Sequence, residues 1–200
     1  MLTLYDTALS LNCYKVRLML SLLGVEYRRV PVDLRRDEHR TPAFLALNPF
    51  GQVPVLARAG LAVRDSHAIL VWLARTCGHD SWMPRDPDRE VHVNAWLSAA
   101  AFELRLGPYD ARLAGRFPSL CVNAQAAERN TDKALRLYED RLRDRGWIAL
   151  DHPTVADVAA YPALAHCGDG GVSLEGYGAI RAWLDRVRSL DGYVGIEGPG

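Results

Sequence analysis

A chain of 200 residues and 22.2 kDa is long for one average domain and short for two large ones, so one large or two small domains both fit. With 49% apolar residues, 24% charged residues and zero formal net charge, it has the composition of a soluble globular protein, which excludes a disordered chain and argues against a nucleic-acid binder held by charge. The longest unbroken apolar run, Ala68 to Ala74, falls far short of the roughly 18 to 20 residues that span a bilayer, and no signal-peptide pattern precedes the first strand, so no membrane partner and a cytoplasmic location are expected.

In chain order, Leu2 and Leu4 alternate with Thr3 and Tyr5 as in a short strand, and Val16, Met19, Leu20 and Leu23 then follow helical spacing up to Gly24. Val25, Tyr27, Val30 and Val32 suggest a second strand whose alternation slips by one near Arg28-Arg29, as at a bulge. Thr41-Pro42 reads as an N-cap with proline at the first helical position, opening a short helix that ends before Asn48-Pro49. Val55 to Ala57 and Leu61 to Val63 flank Arg58-Ala59-Gly60 as a hairpin, and Ser66 opens an apolar helix running to Cys77. The order βαβαββα within residues 1–78 implies an α/β unit, a small mixed sheet with helices on both faces.

Residues 79–88 are polar and twice interrupted by proline, which reads as a linker. Strand signals then vanish. Arg89 to Leu106, Asn123 to Arg145 and Gly178 to Val187 are helical patterns, and Thr154-Val155-Ala156-Asp157 resembles a capping box, so residues 89–200 are expected to be an all-helical domain with a loose tail from Gly195 to Gly200. Asp157 is read there as a cap, not a catalytic acid. The charge divides as +4 over residues 1–78 and −4 over the remainder, which is compatible with a small anionic ligand in the first part and equally with chance scatter, and is too weak for nucleic acid. Cys13, Cys77, Cys121 and Cys167 are widely spread without zinc-ligand spacing, so neither a disulfide framework nor a metal site is expected.

Asn48-Pro49-Phe50-Gly51-Gln52-Val53-Pro54 and Asp65-Ser66-His67-Ala68-Ile69-Leu70, between a strand-helix opening and a helical second half, resemble the cytosolic glutathione transferases of serine type across essentially the whole chain. The resemblance implies a thioredoxin-like domain followed by an all-α helical bundle, glutathione as co-substrate, no metal and no other cofactor, and a homodimer. It also implies a cis Val53-Pro54 peptide that turns the Val53 backbone outward, where the cysteinyl unit of glutathione adds as a short antiparallel strand. Gln52, Val53 and Pro54 thus become glutathione-binding residues. Ser66 is assigned the γ-glutamyl carboxylate at a helix N-terminus, Asp65 the ligand's amino group, and His39 and Arg40 the glycyl carboxylate. Read bare, Ser66 is an ordinary N-cap.

Ser10 stands where serine-type relatives carry the hydroxyl that activates the thiol. Its role is hydrogen bonding and not attack, since no His or Asp is spaced around it as in a hydrolase. Tyr5 is the rival donor, with Asn12, Cys13 or no activating side chain as further alternatives. Ser10-Leu11-Asn12-Cys13 also occupies the place of a redox CxxC, with serine for the attacking cysteine, so Cys13 is expected to be packed and inert. Leu11, Arg105, Tyr109 and Arg112 are the candidates for contact with the second substrate. The expected activity is transfer of glutathione sulfur to a small apolar electrophile; thiol-disulfide reduction, isomerisation, or a non-catalytic binding role are the alternatives.

Overall fold

The computed structural model describes residues 1–197 and divides the chain into two compact units, one built from residues 1–79 with the tail from Asp191, the other from residues 80–190. In the first, β1 (Leu2–Asp6), α1 (Leu11–Leu22), β2 (Tyr27–Pro31), α2 (Pro42–Leu47), β3 (Val55–Arg58), β4 (Leu61–Arg64) and α3 (Ser66–Thr76) follow in the expected order. The sheet runs β2-β1-β3-β4. β1 and β2 are parallel, β3 is antiparallel to β1, and β4 is antiparallel to β3 through a turn whose Ala59 and Gly60 both have positive φ. Such a turn matches the twist of a hairpin.

The alternation of β1 sorts its side chains by face. Tyr5 points with Val32, Val53 and Val55 toward Phe44 and Leu47 of α2. Leu2, Leu4 and Asp6 take the opposite face, where Asp6 meets Arg17 of α1. α1, buried from Cys13 to Leu20, packs beside α3, whose Ile69, Leu70 and Leu73 are fully buried. The bulge expected near Arg28-Arg29 is absent: β2 pairs with β1 residue for residue from Leu2↔Tyr27 to Asp6↔Pro31. The broken alternation reflects an edge strand in which Arg28 is exposed while Arg29 turns its guanidinium to buried Asp6, not an inserted residue.

The second unit holds α4 (Pro87–Leu104), α5 (Asp110–Arg116), α6 (Ala124–Leu142), α7 (Val155–Ala165) and α8 (Gly178–Arg188). α7 lies at its centre, buried from Val155 through Leu164, and Thr154 with Asp157 closes the expected capping box at its start. Sequence periodicity overlooks α5. A wide turn over Arg105–Tyr109, carrying Gly107-Pro108, separates it from α4, and at Gly107 an added Cβ would stand 3.0 Å from the Asn130 carbonyl oxygen of α6. Glycine is required by that approach of two backbones.

Two stretches read as loose are fastened. In the stretch read as linker, Met83 is buried and the Trp82 carbonyl accepts from Val155 N–H at 3.0 Å. The tail returns to the first unit, where Tyr14 Oη donates to the Val194 carbonyl at 2.8 Å and Arg17 Nη2 donates to the Ile196 carbonyl. Of the expected loose tail, residues 198–200 lie outside the described residues.

Candidate functional site

Sheet register decides which loops meet. Tyr5 lies opposite Val55 and Val55 opposite Arg64, so the loop after β1, the residues before β3 and the start of α3 all emerge at one end of the sheet. Because β2 runs parallel to β1 with Pro31 beside Asp6, the segment containing His39 and Arg40 leaves from that end too. Ser10, Gln52, Val53, Pro54, Asp65, Ser66, His39 and Arg40 therefore share the edge beyond the carboxyl ends of the parallel strands, where open α/β sheets bind ligands.

Ser10 is the N-cap of α1, its Oγ accepting from Cys13 N–H at 3.3 Å. Acceptance of that bond leaves the hydroxyl proton for another acceptor. The loop behind it is pinned from below, because Arg17 Nη2 donates to the Ala8 carbonyl at 2.8 Å while Nη1 holds buried Asp6 at 2.5 Å. Tyr5, the rival donor, has its ring edge-on to Phe44 at 6.1 Å on the α2 face of the sheet. Cys13 is fully buried, and burial, reinforced by the Asp6 carboxylate, pushes its thiol up to about 12. A thiol so placed is inert near neutral pH.

The Val53-Pro54 peptide is cis. Asn48 organises the turn before it, donating from Nδ2 to the Gln52 carbonyl at 2.7 Å and accepting at Oδ1 from Phe50 N–H at 3.0 Å. Among the described residues nothing pairs with the Val53 N–H or C=O, which leaves an extended residue free to bind another backbone. At Gly51 an added Cβ would lie 3.0 Å from both the His39 carbonyl oxygen and an Arg40 guanidinium nitrogen, so this turn rests directly on the segment carrying the two basic residues. His39 Nδ1 is buried without a partner among the described residues.

At α3 the capping roles differ from the sequence reading. Asp65, held at φ 72°, is the N-cap and its Oδ1 accepts from His67 N–H and Ala68 N–H, both at 3.0 Å. Ser66 is instead the first helical residue and 5% exposed, with no hydrogen bond from its hydroxyl among the described residues. Its N–H and hydroxyl are thus the uncommitted donors of a helix N-terminus that attracts anions. His67 follows, its Nε2 2.9 Å from Nζ of buried Lys15 on α1.

The second-substrate candidates fare unevenly. Leu11 is 1% exposed and belongs to the core of the first unit. Arg112 is 2% exposed and spends its guanidinium on Asp169 at 2.9 Å, tying α5 to the turn at residues 167–170 and offering no surface to a substrate. Arg105 is exposed, paired with Asp110 and stacked on Tyr109 at 4.8 Å. A groove of about 510 Å³ between α5, α6 and residues 170–177, unforeseen in the sequence, is lined by none of the four. Sequence reasoning also misses Asn48, Lys15 and the Asp6–Arg17 pair as supports of the site. Their signal is a polar residue before a turn, or charge inside an otherwise apolar run.

Among the described residues no helix is long and apolar enough to cross a membrane, and no three His, Cys, Asp or Glu side chains gather as for a metal. All four cysteines are unpaired.

Residues 9–76 match the family model described as glutathione S-transferase, N-terminal domain, and residues 122–191 that of the glutathione S-transferase C-terminal domain. Maleylacetoacetate isomerase of Rhizobium meliloti is 31% identical over 197 residues, 95% of this chain and 92% of that protein. Glutathione S-transferase F13 of Arabidopsis thaliana is 32% identical over 80% of this chain and 77% of its own. Among solved structures, a possible glutathione S-transferase from Rhodopseudomonas palustris superposes with a TM-score of 0.92 at 30% identity, covering all of this chain and 91% of that one.

Proposed function

The chain belongs to the glutathione S-transferase family, and we propose that it transfers the sulfur of glutathione to a small, largely apolar electrophile at the sheet edge that carries Ser10. Glutathione lies extended, its cysteinyl unit paired with the Val53 backbone beside Gln52 and Pro54. Ser66 receives the γ-glutamyl carboxylate, Asp65 the amino group through its second carboxylate oxygen, and His39 with Arg40 the glycyl carboxylate. No metal and no other cofactor takes part.

Ser10 then donates its spare hydroxyl proton to the thiolate. Lowering a thiol from ~8.5 to ~6.5 takes about 2.7 kcal/mol of preference for the anion. One donor to a charged acceptor supplies about 1.5 to 3 kcal/mol, and the N-terminus of α1 adds a few tenths or more. The sum suffices. Holding both reactants in one place contributes the remaining acceleration.

The observation that carries this reading is the convergence, by strand register, of an unpaired extended backbone at Val53, the open N-terminus of α3 and a serine with an unused donor. Ser10→Ala tests it. The pH at which bound glutathione ionises, read by thiolate absorbance, should rise by about one to two units. An unchanged titration removes Ser10 from the mechanism.

The Rhizobium meliloti relative, an isomerase by name, favours a second reading. The same thiolate adds to a conjugated double bond, the adduct rotates, and elimination returns glutathione unchanged. Consumption of glutathione during turnover separates the two, being stoichiometric for transfer and absent for isomerisation. Thiol-disulfide reduction is disfavoured by the buried, fully protonated Cys13. Contact with the electrophile by Arg105 and Tyr109, assembly as a homodimer, a role in detoxification and a cytoplasmic location complete the proposal.

A further inference from the structure

Lysine is rarely buried, yet Lys15 is 5% exposed on α1, and its side chain reaches across to the first turn of α3. An ammonium has only donors, so its 2.9 Å contact makes His67 Nε2 the acceptor and puts the ring proton on Nδ1. The His67 backbone N–H is already held by Asp65 Oδ1, which fixes where the ring starts. Lys15 thus sets a positive charge against His67, the residue following Ser66, and fixes the tautomer of its ring. Burial and the Lys15 charge hold His67 down at about 3, so the ring stays neutral and the arrangement persists across the physiological range.

We propose that Lys15 is a positioning residue for the γ-glutamyl carboxylate, acting through His67 to set the charge and donor geometry at the start of α3. The inference rests on the glutathione site described above and adds to it the group that selects the ligand's amino-terminal carboxylate. The activated sulfur lies at the other end of the arrangement, with Ser10. Lys15 should therefore govern binding and leave thiol ionisation alone.

The test compares glutathione with its analogue lacking the γ-glutamyl α-carboxylate, 4-aminobutyryl-cysteinyl-glycine. In Lys15→Met, glutathione binding and KM should weaken roughly tenfold, the analogue should change less than about twofold, and kcat and the ionisation pH of bound glutathione should hold. Lys15→Arg should recover most of the discrimination. His67→Asn, whose amide nitrogen can stand in for Nδ1–H, should keep more of it than His67→Phe. Equal weakening of both ligands, or of neither, overturns the proposal. If Lys15→Met does not fold, the contrast between His67→Asn and His67→Phe decides the question instead, and equal discrimination in those two variants overturns the proposal. Failure of the unaltered protein to bind either ligand would refute the glutathione site itself.

Discussion

Burial first, and then the Lys15 ammonium, push His67 from its ordinary 6.5 down to about 3. Between those values the unfolded chain binds a proton that the folded chain refuses, so stability rises with pH across this window and is lost as pH falls through it, at up to about 1.4 kcal/mol per pH unit. Between pH 6.5 and 4.5 the wild type should lose roughly 2 to 3 kcal/mol more than His67→Asn in urea denaturation. Identical slopes would show that the ring does not resist protonation. At this scale the sequence reveals which residues matter better than which task each performs. Asp65 and Ser66 are adjacent and both good caps, and the choice between them is settled by the backbone of Asp65, which at φ 72° lies outside the helix while its carboxylate accepts from His67 and Ala68 N–H. Tyr5 shows the same limit: alternation assigns it a face of β1, but only the placement of α2 reveals that this face is a packing surface.

Elements are legible where a local rule acts alone. The Thr154–Asp157 box announces the start of α7, but its weight comes from distant partners: Asp157, 1% exposed, accepts from Thr154 N–H and Oγ1–H, from Ile148 N–H and from Trp183 Nε1–H. Burial pushes its carboxyl up while those donors pull it back. Asp157→Ala should strand these donors and destabilise the fold by about 3 to 5 kcal/mol, seen as a lower denaturation midpoint with the slope preserved. A loss under about 1 kcal/mol would mean that the cap is ornamental. α8 depends on a cap that local sequence does not contain. Its first turn lacks a capping side chain of its own, and Glu139 of α6 accepts from Ala179 and Ile180 N–H, both at 3.0 Å. The α4–α5 break is illegible for a related reason, since Gly107 is fitted to the backbone of α6 and not to its neighbours in sequence.

For the molecule as a whole, residues 191–197 belong to the same unit as residues 1–79, and they support the candidate site. Arg17 is fully buried and distributes its guanidinium among Asp6, the Ala8 carbonyl and the Ile196 carbonyl. Ala8 belongs to the loop that presents Ser10, so a carbonyl from the tail is a further acceptor for the side chain that steadies this loop. Tyr14, one helical turn from Ser10, similarly donates to Val194 at 2.8 Å. Composition and periodicity do not distinguish residues 191–197 from an untethered end, because Tyr14 and Arg17 bind two of their backbone carbonyls, which every sequence possesses, beside one side-chain contact from Tyr14 Oη to Tyr193 Oη at 3.3 Å. A chain ending at Leu190 would remove the acceptors that Val194 and Ile196 give to Tyr14 Oη–H and Arg17 Nη2–H, at about 1 to 3 kcal/mol each. Its denaturation midpoint should fall accordingly, and amide exchange should quicken in residues 7–10 before it quickens in β3. If exchange in that loop is unaffected while global stability drops, the tail merely covers α1. Faster exchange there, with α7 unchanged, places residues 191–197 among the supports of Ser10.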